Sequence, residues 1–172
     1  MSAALSMYQA SIPVFLRALG NLRQVLEKGE AHAREQGYEP AVLLQSRLYP
    51  DMLPLVRQVQ IATDTAKFGA ARLAGVESPR FEDVETTFAE LFARLDAVAA
   101  YLGTFDQKAL EGSEDRVVTL SSRTRGDLTF NGSGYLLGFA LPNLFFHVTT
   151  AYAILRHNGV PLGKLDYLGP AA

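Results

Sequence analysis

The stretch that decides the fold is residues 8–26, YQASIPVFLRALGNLRQVL, in which apolar side chains recur every three or four residues. The members of this stripe are Tyr8, Ile12, Phe15, Leu19, Leu22 and Leu26. Spacing of this kind places them along one face of an α-helix. Pro13 lies early in the stripe and predicts a kink or a first-turn position. A polar tail extends the predicted helix to about Gln36, just before Gly37.

Two further segments repeat this spacing and predict two more helices. The second stripe comprises Met52, Val56, Val59, Thr63, Ala66, Ala70 and Leu73, and the third comprises Val84, Phe88, Leu91, Leu95, Val98 and Leu102. We expect the second helix to begin at Asp51 as its N-cap and to end at Gly75. We expect the third helix to begin after Ser78-Pro79, where acidic residues at 82–85 would lie at the positive end of the helix dipole.

The pattern changes in the long link before the last helix. Val117–Ser122 and Asp127–Phe130 are rich in β-branched and aromatic residues, and Asn131-Gly132 is a turn signal, so we expect a small β-hairpin. A fourth helix is predicted to start at Leu141-Pro142 and to end at Asn158. The sequence therefore predicts an all-α four-helix bundle with a small β-hairpin in the link, as a single domain over residues 1–172.

Composition excludes several classes of function. Lys and Arg number 16 against 18 Asp and Glu, so the formal net charge of -2 gives no basic field for nucleic acid. The absence of cysteine excludes disulfides, thiolate nucleophiles and Cys-ligated metal sites. The first residues lack both a basic start and a long apolar run, which argues against a secretory signal, and we expect a cytoplasmic protein.

One charge-free stretch raises the question of a membrane span. Residues 128–155 contain no Asp, Glu, Lys or Arg, which is long enough to cross a bilayer. Asn131, Gly132 and the Pro142-Asn143 pair interrupt it with residues that break helices or form turns. We therefore expect a loop that leads into a buried helix, and no membrane partner.

The chain has three histidines, which limits metal and acid–base chemistry. His32 lies in a charged helical segment, where a solvated role is expected. His157 lies in the last turn of the fourth helix, where a cation is favourable by itself. His157 is ten residues from His147, about 15 Å along a helix axis, so those two cannot bind one ion.

His147 lies about one turn into an apolar helix, where the neutral imidazole is favoured. It is either a base or ligand-binding group, or a buried histidine whose hydrogen bonds are satisfied by a carbonyl or carboxylate. Gln58 or Asp64 could face the interior and pair with it, and Asp64 could equally be solvated. No Glu-x-x-His pair, phosphate-binding loop or nucleophile elbow is present.

Two segments carry a family resemblance. They are residues 141–169, LPNLFFHVTTAYAILRHNGVPLGKLDYLG, and residues 48–64, LYPDMLPLVRQVQIATD. Together they resemble an uncharacterised, domain-of-unknown-function branch of the DinB/YfiT-like superfamily, over nearly the whole chain. The resemblance implies a four-helix bundle and a homodimer. Many such relatives hold a divalent metal with three histidines, and some are transferases or isomerases that use low-molecular-weight thiols.

The metal-binding motif of those relatives is incomplete here. Their last helix carries His-x-x-x-His followed by Leu-Arg-x-x-Gly, an ending that Leu155–Gly159 matches. His147 falls at the last metal-histidine position, but Asn143 stands at the preceding one. Gln58 or a near neighbour is placed where the second helix supplies the third histidine. An Asn, Gln and His set is neutral and weak as a divalent-metal site, so no bound metal or cofactor is expected.

Two hypotheses for function follow. The first is a homodimer that either binds a small molecule or has a structural role, with His147, Asn143, Gln58 and Asp64 as the ligand-binding residues and no complete metal site. The second is a cryptic metal- or thiol-dependent transferase, with His147 as its base or sole strong ligand and Asp64 assisting. Catalytic residues are not assigned, and whether the chain is an enzyme is left open.

Overall fold

The computed structural model describes residues 5–121 and 126–170, and four long helices dominate it. The elements are, in chain order, α1 (Met7–Glu35), α2 (Ala41–Leu44), α3 (Leu55–Ala74), α4 (Phe88–Leu102), β1 (Val118–Leu120), β2 (Leu128–Phe130), α5 (Gly132–Tyr135), α6 (Leu141–His157) and α7 (Lys164–Leu168). Around the bundle α1 packs on α4, α4 on α3, α3 on α6, and α6 on α1. The predicted all-α bundle with a two-stranded antiparallel hairpin is confirmed.

Helix α1 has the bounds that its apolar stripe predicts. Ser6 caps its start by accepting a hydrogen bond from the Gln9 amide, and the Gln9 side chain accepts one from the Ser6 amide in return. Ile12, Phe15 and the later members of the stripe are buried against the other helices. Gly37 adopts a φ of 77°, a left-handed conformation that ends the helix.

Helix α3 begins later than predicted. It starts at Leu55, so the expectation that Asp51 caps it is wrong. Proline disfavours a helical conformation in the residue before it, so Leu53 stays outside the helix and Pro54 takes the position before the first helical residue. The carbonyl oxygen of Leu53 consequently takes no part in the backbone hydrogen bonds of α3. Gly75 ends the helix with a φ of 70°, as predicted.

Helix α4 also begins later, at Phe88 rather than after Ser78-Pro79. Thr87 caps it by accepting from the Glu90 amide, and the Glu90 carboxylate accepts from the Thr87 amide. The acidic residues at 82–85 therefore lie in an irregular segment before the helix, not in its first turn. The carboxylates of Asp83 and Glu85 bind arginines instead of facing a helix dipole.

The link before α6 contains the predicted hairpin, although Asn131-Gly132 is not its turn. Asn131 is the N-cap of α5, and its side chain accepts from the Gly134 amide. Residues 121–127 connect the two strands, and residues 122–125 among them lie outside the described part of the chain. Gly132 lies against the backbone of the 113–115 turn, since a Cβ there would overlap the carbonyl oxygen of Ser113.

Helix α6 begins at Leu141 with Pro142 in its first turn, as predicted. A π-helical turn over Leu136–Ala140 joins α5 to α6, so the chain is helical from Gly132 to His157. A widened turn of this kind inserts one residue and resets which face the following residues present. By length and composition this helix is apolar enough to cross a membrane. In the bundle it packs against α3 and α1.

Candidate functional site

His147 lies on the face of α6 that packs against α3, and only 8 % of its surface is exposed. Its ring nitrogen Nδ1 is 2.7 Å from Oε1 of Gln58, a buried residue in the first turn of α3. The sequence placed these two residues as possible partners, and the structure brings them together.

The orientation of the Gln58 amide follows from its second hydrogen bond. Its Nε2 donates to the carbonyl oxygen of Leu53 at 3.0 Å, so its Oε1 is the atom that faces His147. An amide oxygen only accepts hydrogen bonds, so Nδ1 of His147 must carry the proton. The other ring nitrogen, Nε2, is then unprotonated in the neutral ring and presents a lone pair.

The Nε2 atom of His147 is accessible. It makes no hydrogen bond with any group in residues 5–121 and 126–170. Among those residues, Ser113 Oγ is the fully buried polar side-chain atom that lacks a hydrogen-bond partner. Because Nε2 of His147 also lacks a partner, it is not fully buried and contacts solvent. Burial of the imidazole lowers the pKa of His147 below 6.5, which keeps the ring neutral at pH 7. The site therefore has one hydrogen-bond acceptor that is not fully buried and has no partner among the described residues.

Asn143 lies one turn before His147 and also contacts α3. Its Nδ2 donates to Oγ1 of Thr65 at 2.7 Å, and Thr65 in turn donates to the carbonyl of Ile61. Sequence reasoning did not identify Thr65. The signal was its spacing, because Thr65 follows Gln58 by seven residues and so lies on the same face of α3.

Asp64 lies elsewhere, on the face of α3 that meets α4. Its Oδ1 is 2.9 Å from Arg94 and 3.0 Å from Lys67, two cations that are almost fully buried. It neither pairs with His147 nor stands free as a solvated residue. The expectation that it could reach the imidazole is therefore not met.

Arg94 joins α3, α4 and the irregular segment before α4. It donates to Thr63 Oγ1 at 2.8 Å, to the carbonyl of Glu82 at 3.1 Å and to Glu85 Oε1 at 3.0 Å. It also pairs with Asp83 at 3.1 Å. Burial alone would raise the pKa of Asp83, but the bonds and charges of Arg57 and Arg94 outweigh it, and the net direction is downward. This cluster joins α3, α4 and the segment before α4, and Glu82, Glu85 and Arg94 also line a surface pocket of about 360 Å³.

The residues that the resemblance assigns to the metal-histidine positions do not fit a divalent metal. Gln58 Oε1 accepts from His147, and Asn143 donates to Thr65, so both amides are engaged within the protein. The three side chains carry no negative charge, and only His147 has a strong donor atom for a metal. Across the described parts of the chain no group of three or more His, Cys, Asp or Glu residues converges.

A surface groove lies on the α6 side of this site. Its volume is about 470 Å³, and it is lined by Leu48, Pro142, Phe145, Phe146, Thr149, Thr150 and Ala153. The ring of Phe146 stands edge-on to the ring of His147, with the two ring centres 5.1 Å apart. A larger cavity of about 860 Å³ lies between the start of α1, residues 107–114 and the region of α5. None of the four predicted site residues lines either the groove or this cavity.

The C-terminal segment packs against α1 and α6. Asn21 donates to the carbonyl of Tyr167, and Thr149 donates to the Tyr167 hydroxyl. Asp166 binds Lys28 and accepts from the Gly163 amide, interactions that lower its pKa. Tyr167 therefore holds the C-terminal segment on the bundle.

Comparison with known proteins places the chain in a family. Residues 7–168 match the model of a domain of unknown function, DUF1993. The crystal structure of a DinB family member protein from Shewanella denitrificans is 42 % identical to this chain, with a TM-score of 0.87, and the match covers 96 % of this chain and 93 % of that one. No curated protein matches the sequence. The chain therefore belongs to the DUF1993 family, a domain-of-unknown-function branch of the DinB-like four-helix-bundle proteins.

Proposed function

We propose that this DinB-like protein binds a small organic molecule at His147 and does so without a divalent metal. The observation that carries the proposal is the chain of hydrogen bonds from Leu53 through Gln58 to His147. It fixes the imidazole in one tautomer and leaves one accessible lone pair. A histidine that served only to join two helices would not need an accessible second nitrogen.

The metal-independent part of the proposal rests on the donor set. Elemental analysis of protein purified without chelator tests it directly. We expect zinc, nickel and iron each far below one equivalent per chain. Stoichiometric metal that disappears in the His147→Ala variant would overturn this part of the proposal.

The ligand-binding part is tested by a thermal-shift screen of small metabolites, thiols included. We expect compounds that raise the melting temperature of the natural protein but not that of His147→Ala. His157→Ala is the matched control, because His157 is an exposed histidine on the same helix. If no compound shifts the natural protein and His147→Ala merely loses stability, His147 has a structural role and the proposal is wrong.

A second candidate function uses the same lone pair for proton transfer. A neutral histidine with an unprotonated Nε2 is also what a general base requires. In that case the protein would be a thiol-dependent transferase in which His147 removes the thiol proton. Asp64 has no part in it, because Arg94 and Lys67 hold its carboxylate. Consumption of a thiol with an electrophilic co-substrate, lost in His147→Ala, would favour this candidate.

We also propose that the protein is a homodimer, as the resemblance to DinB-like proteins implies. Light scattering coupled to size-exclusion chromatography measures the mass of the particle against the 18.8 kDa of one chain. A single species at the mass of one chain across the micromolar range would contradict the dimer and leave the ligand proposal untouched.

A further inference from the structure

The outward face of α6 carries no charge over most of its length. Residues 141–155 include no Asp, Glu, Lys or Arg, although Phe145, Phe146 and Thr149 are exposed. In the continuous helix Gly132–His157, 39 % of the most apolar window is buried by the rest of the described chain. The solvated face of a helix is normally polar. This face of α6 is therefore apolar without being covered by the described part of the chain.

The apolar surface extends to both sides of α6. On one side Phe145 and Phe146 line the groove together with Leu48, and on the α1 side Phe145 shares a smaller cavity of about 150 Å³ with Leu168. These four large residues, Leu48, Phe145, Phe146 and Leu168, form the α6 patch and are between 37 % and 58 % exposed. At about 200 Å² for a whole residue of this size, their exposed parts come to about 350 Å².

The area and shape of the α6 patch suit a second protein surface. A standard interface buries about 800 Å² on each partner, of which about 60 % is apolar. The α6 patch alone supplies about three quarters of that apolar area. The groove that it borders is also shallow, whereas small-molecule sites are concave and enclose most of the ligand.

The groove is shaped to receive a copy of itself. Phe146 and Ala153 both line it and are seven residues apart, so they lie on one stripe of α6 with Thr149 between them. If two copies pack with antiparallel α6 helices about a two-fold axis near Thr149, the Phe146 ring of each copy meets Ala153 of the other. A large side chain then lies against a small one twice in the same contact.

The lack of charge also favours pairing of this face with itself. A two-fold axis brings identical residues together, so a charge near the axis would face the same charge of the other copy. Like charges placed opposite each other in an interface cost several kcal/mol. No such repulsion arises along residues 141–155, whereas a charged partner would gain no ion pair there.

We propose that the partner of the α6 patch is a second copy of this chain, packed with antiparallel α6 helices about a two-fold axis near Thr149. This inference rests on the proposed homodimer and names the surface that forms it. Phe146 is the most exposed member of the patch, at 58 %, so it loses the most contact with water in the dimer.

The Phe146→Glu variant tests the surface by placing two like charges in the apolar contact. Because each dimer contains the change twice, we expect its dissociation constant, measured by sedimentation equilibrium, to rise at least about 100-fold. Val84→Glu is the matched control and should leave the constant unchanged. Val84 is 67 % exposed and lies beside α4, which is diagonally across the bundle from α6. Circular dichroism should show the same helix content in both variants.

A cross-link tests the position of the axis without weakening the contact. The natural chain has no cysteine, so Thr149→Cys carries a single thiol. Near the axis the two thiols lie within the reach of a disulfide, and mild oxidation should join the two copies. Ala100→Cys is the control, because Ala100 is exposed on α4, and it should run as a single chain on a non-reducing gel.

The failure of this inference is distinct from the failure of the proposed homodimer. If the natural protein is a dimer but Phe146→Glu remains one, or Thr149→Cys does not cross-link, the surface is wrong and the homodimer stands. If the natural protein is a single chain throughout the micromolar range, both proposals fail. A single chain that binds phosphatidylcholine vesicles, and no longer does so as Phe146→Glu, would assign the α6 patch to a lipid surface and overturn the inference.

Discussion

Replacing Arg94 with methionine tests whether its buried charge cluster stabilises the bundle. Methionine keeps most of the apolar stem but removes every donor of the guanidinium group. Arg94 is 4 % exposed, and its loss leaves the carboxylates of Asp64, Asp83 and Glu85 without their shared cation. The removal of one partner from a buried ion pair costs about 3–5 kcal/mol.

The stability lost on removing Arg94 should lie at the lower end of that range. Asp64 and Asp83 are 29 % and 33 % exposed, so water recovers part of their solvation, whereas Glu85 is 9 % exposed. We therefore expect Arg94→Met to lower the free energy of unfolding by about 3 kcal/mol. Urea unfolding at pH 7, followed by circular dichroism, measures this as a lower midpoint with an unchanged slope.

Arg23→Met is the matched control, because Arg23 also joins two helices through carboxylates. It pairs with Glu27 and Asp96, but its side chain is 34 % exposed and Asp96 is 68 % exposed. Exposed pairs of this kind contribute about 0–1 kcal/mol. A loss for Arg94→Met no larger than that for Arg23→Met would refute the assignment of stability to the buried cluster.

The loss of stability in Arg94→Met should depend on pH, and the direction of that dependence follows from the pKa of Asp83. The pKa of Asp83 is lowered in the folded protein, so its contribution to stability is present above the ordinary value of 3.8 and is lost as the pH falls through the folded pKa. The difference in stability between the natural protein and Arg94→Met should therefore shrink below about pH 4. A difference that stays constant down to pH 3 would contradict a charge-based origin.

Two further predictions concern the contact between α3 and α6. Burial lowers the pKa of His147 in the folded protein, so the unfolded chain binds a proton on this histidine more readily. The free energy of unfolding should therefore fall as the pH drops below 6.5, by at most about 1.4 kcal/mol per pH unit. Urea unfolding between pH 7.5 and 5.0 should show this slope, and His147→Gln should remove it. Thr65→Val keeps the side-chain shape but removes the hydroxyl that accepts a hydrogen bond from Asn143. We expect the free energy of unfolding, measured in urea, to fall by about 1 kcal/mol. A decrease under about 0.3 kcal/mol would show that this hydrogen bond does not stabilise the protein.

The four long helices could be predicted because a helical stripe needs only apolar residues at the right spacing. The first residues of these helices were harder to predict, because several short sequences can each act as a helix cap and compete with one another. Ser78-Pro79 followed by acidic residues imitates a helix start, whereas the working cap is the reciprocal pair of Thr87 and Glu90. That capping box was present in the sequence as Thr-x-x-Glu before an apolar stripe. The ion pairs that hold residues 82–85 in place depend on Arg94 and Arg57, which only the folded chain brings near.

The candidate site shows which part of a helix-to-helix contact follows from spacing. At 100° per residue, Thr65 lies about 20° from Gln58 around α3, and His147 lies about 40° from Asn143 around α6. Two polar pairs on facing surfaces of adjacent helices predict the contacts that the structure shows between Gln58 and His147 and between Asn143 and Thr65. Asp64 lies about 120° from Gln58 around α3, so the same arithmetic directs it away from His147.

The tautomer of His147 did not follow from spacing. It depends on the Leu53 carbonyl, which is outside α3 because Pro54 follows it. Had α3 begun near Asp51, as the sequence suggested, this carbonyl would have accepted a helical hydrogen bond and Gln58 could have turned either way. A cap assigned three residues too early would thus leave the proton position on His147 undecided. The position of one proline therefore determines which nitrogen of a histidine on another helix is able to accept a ligand.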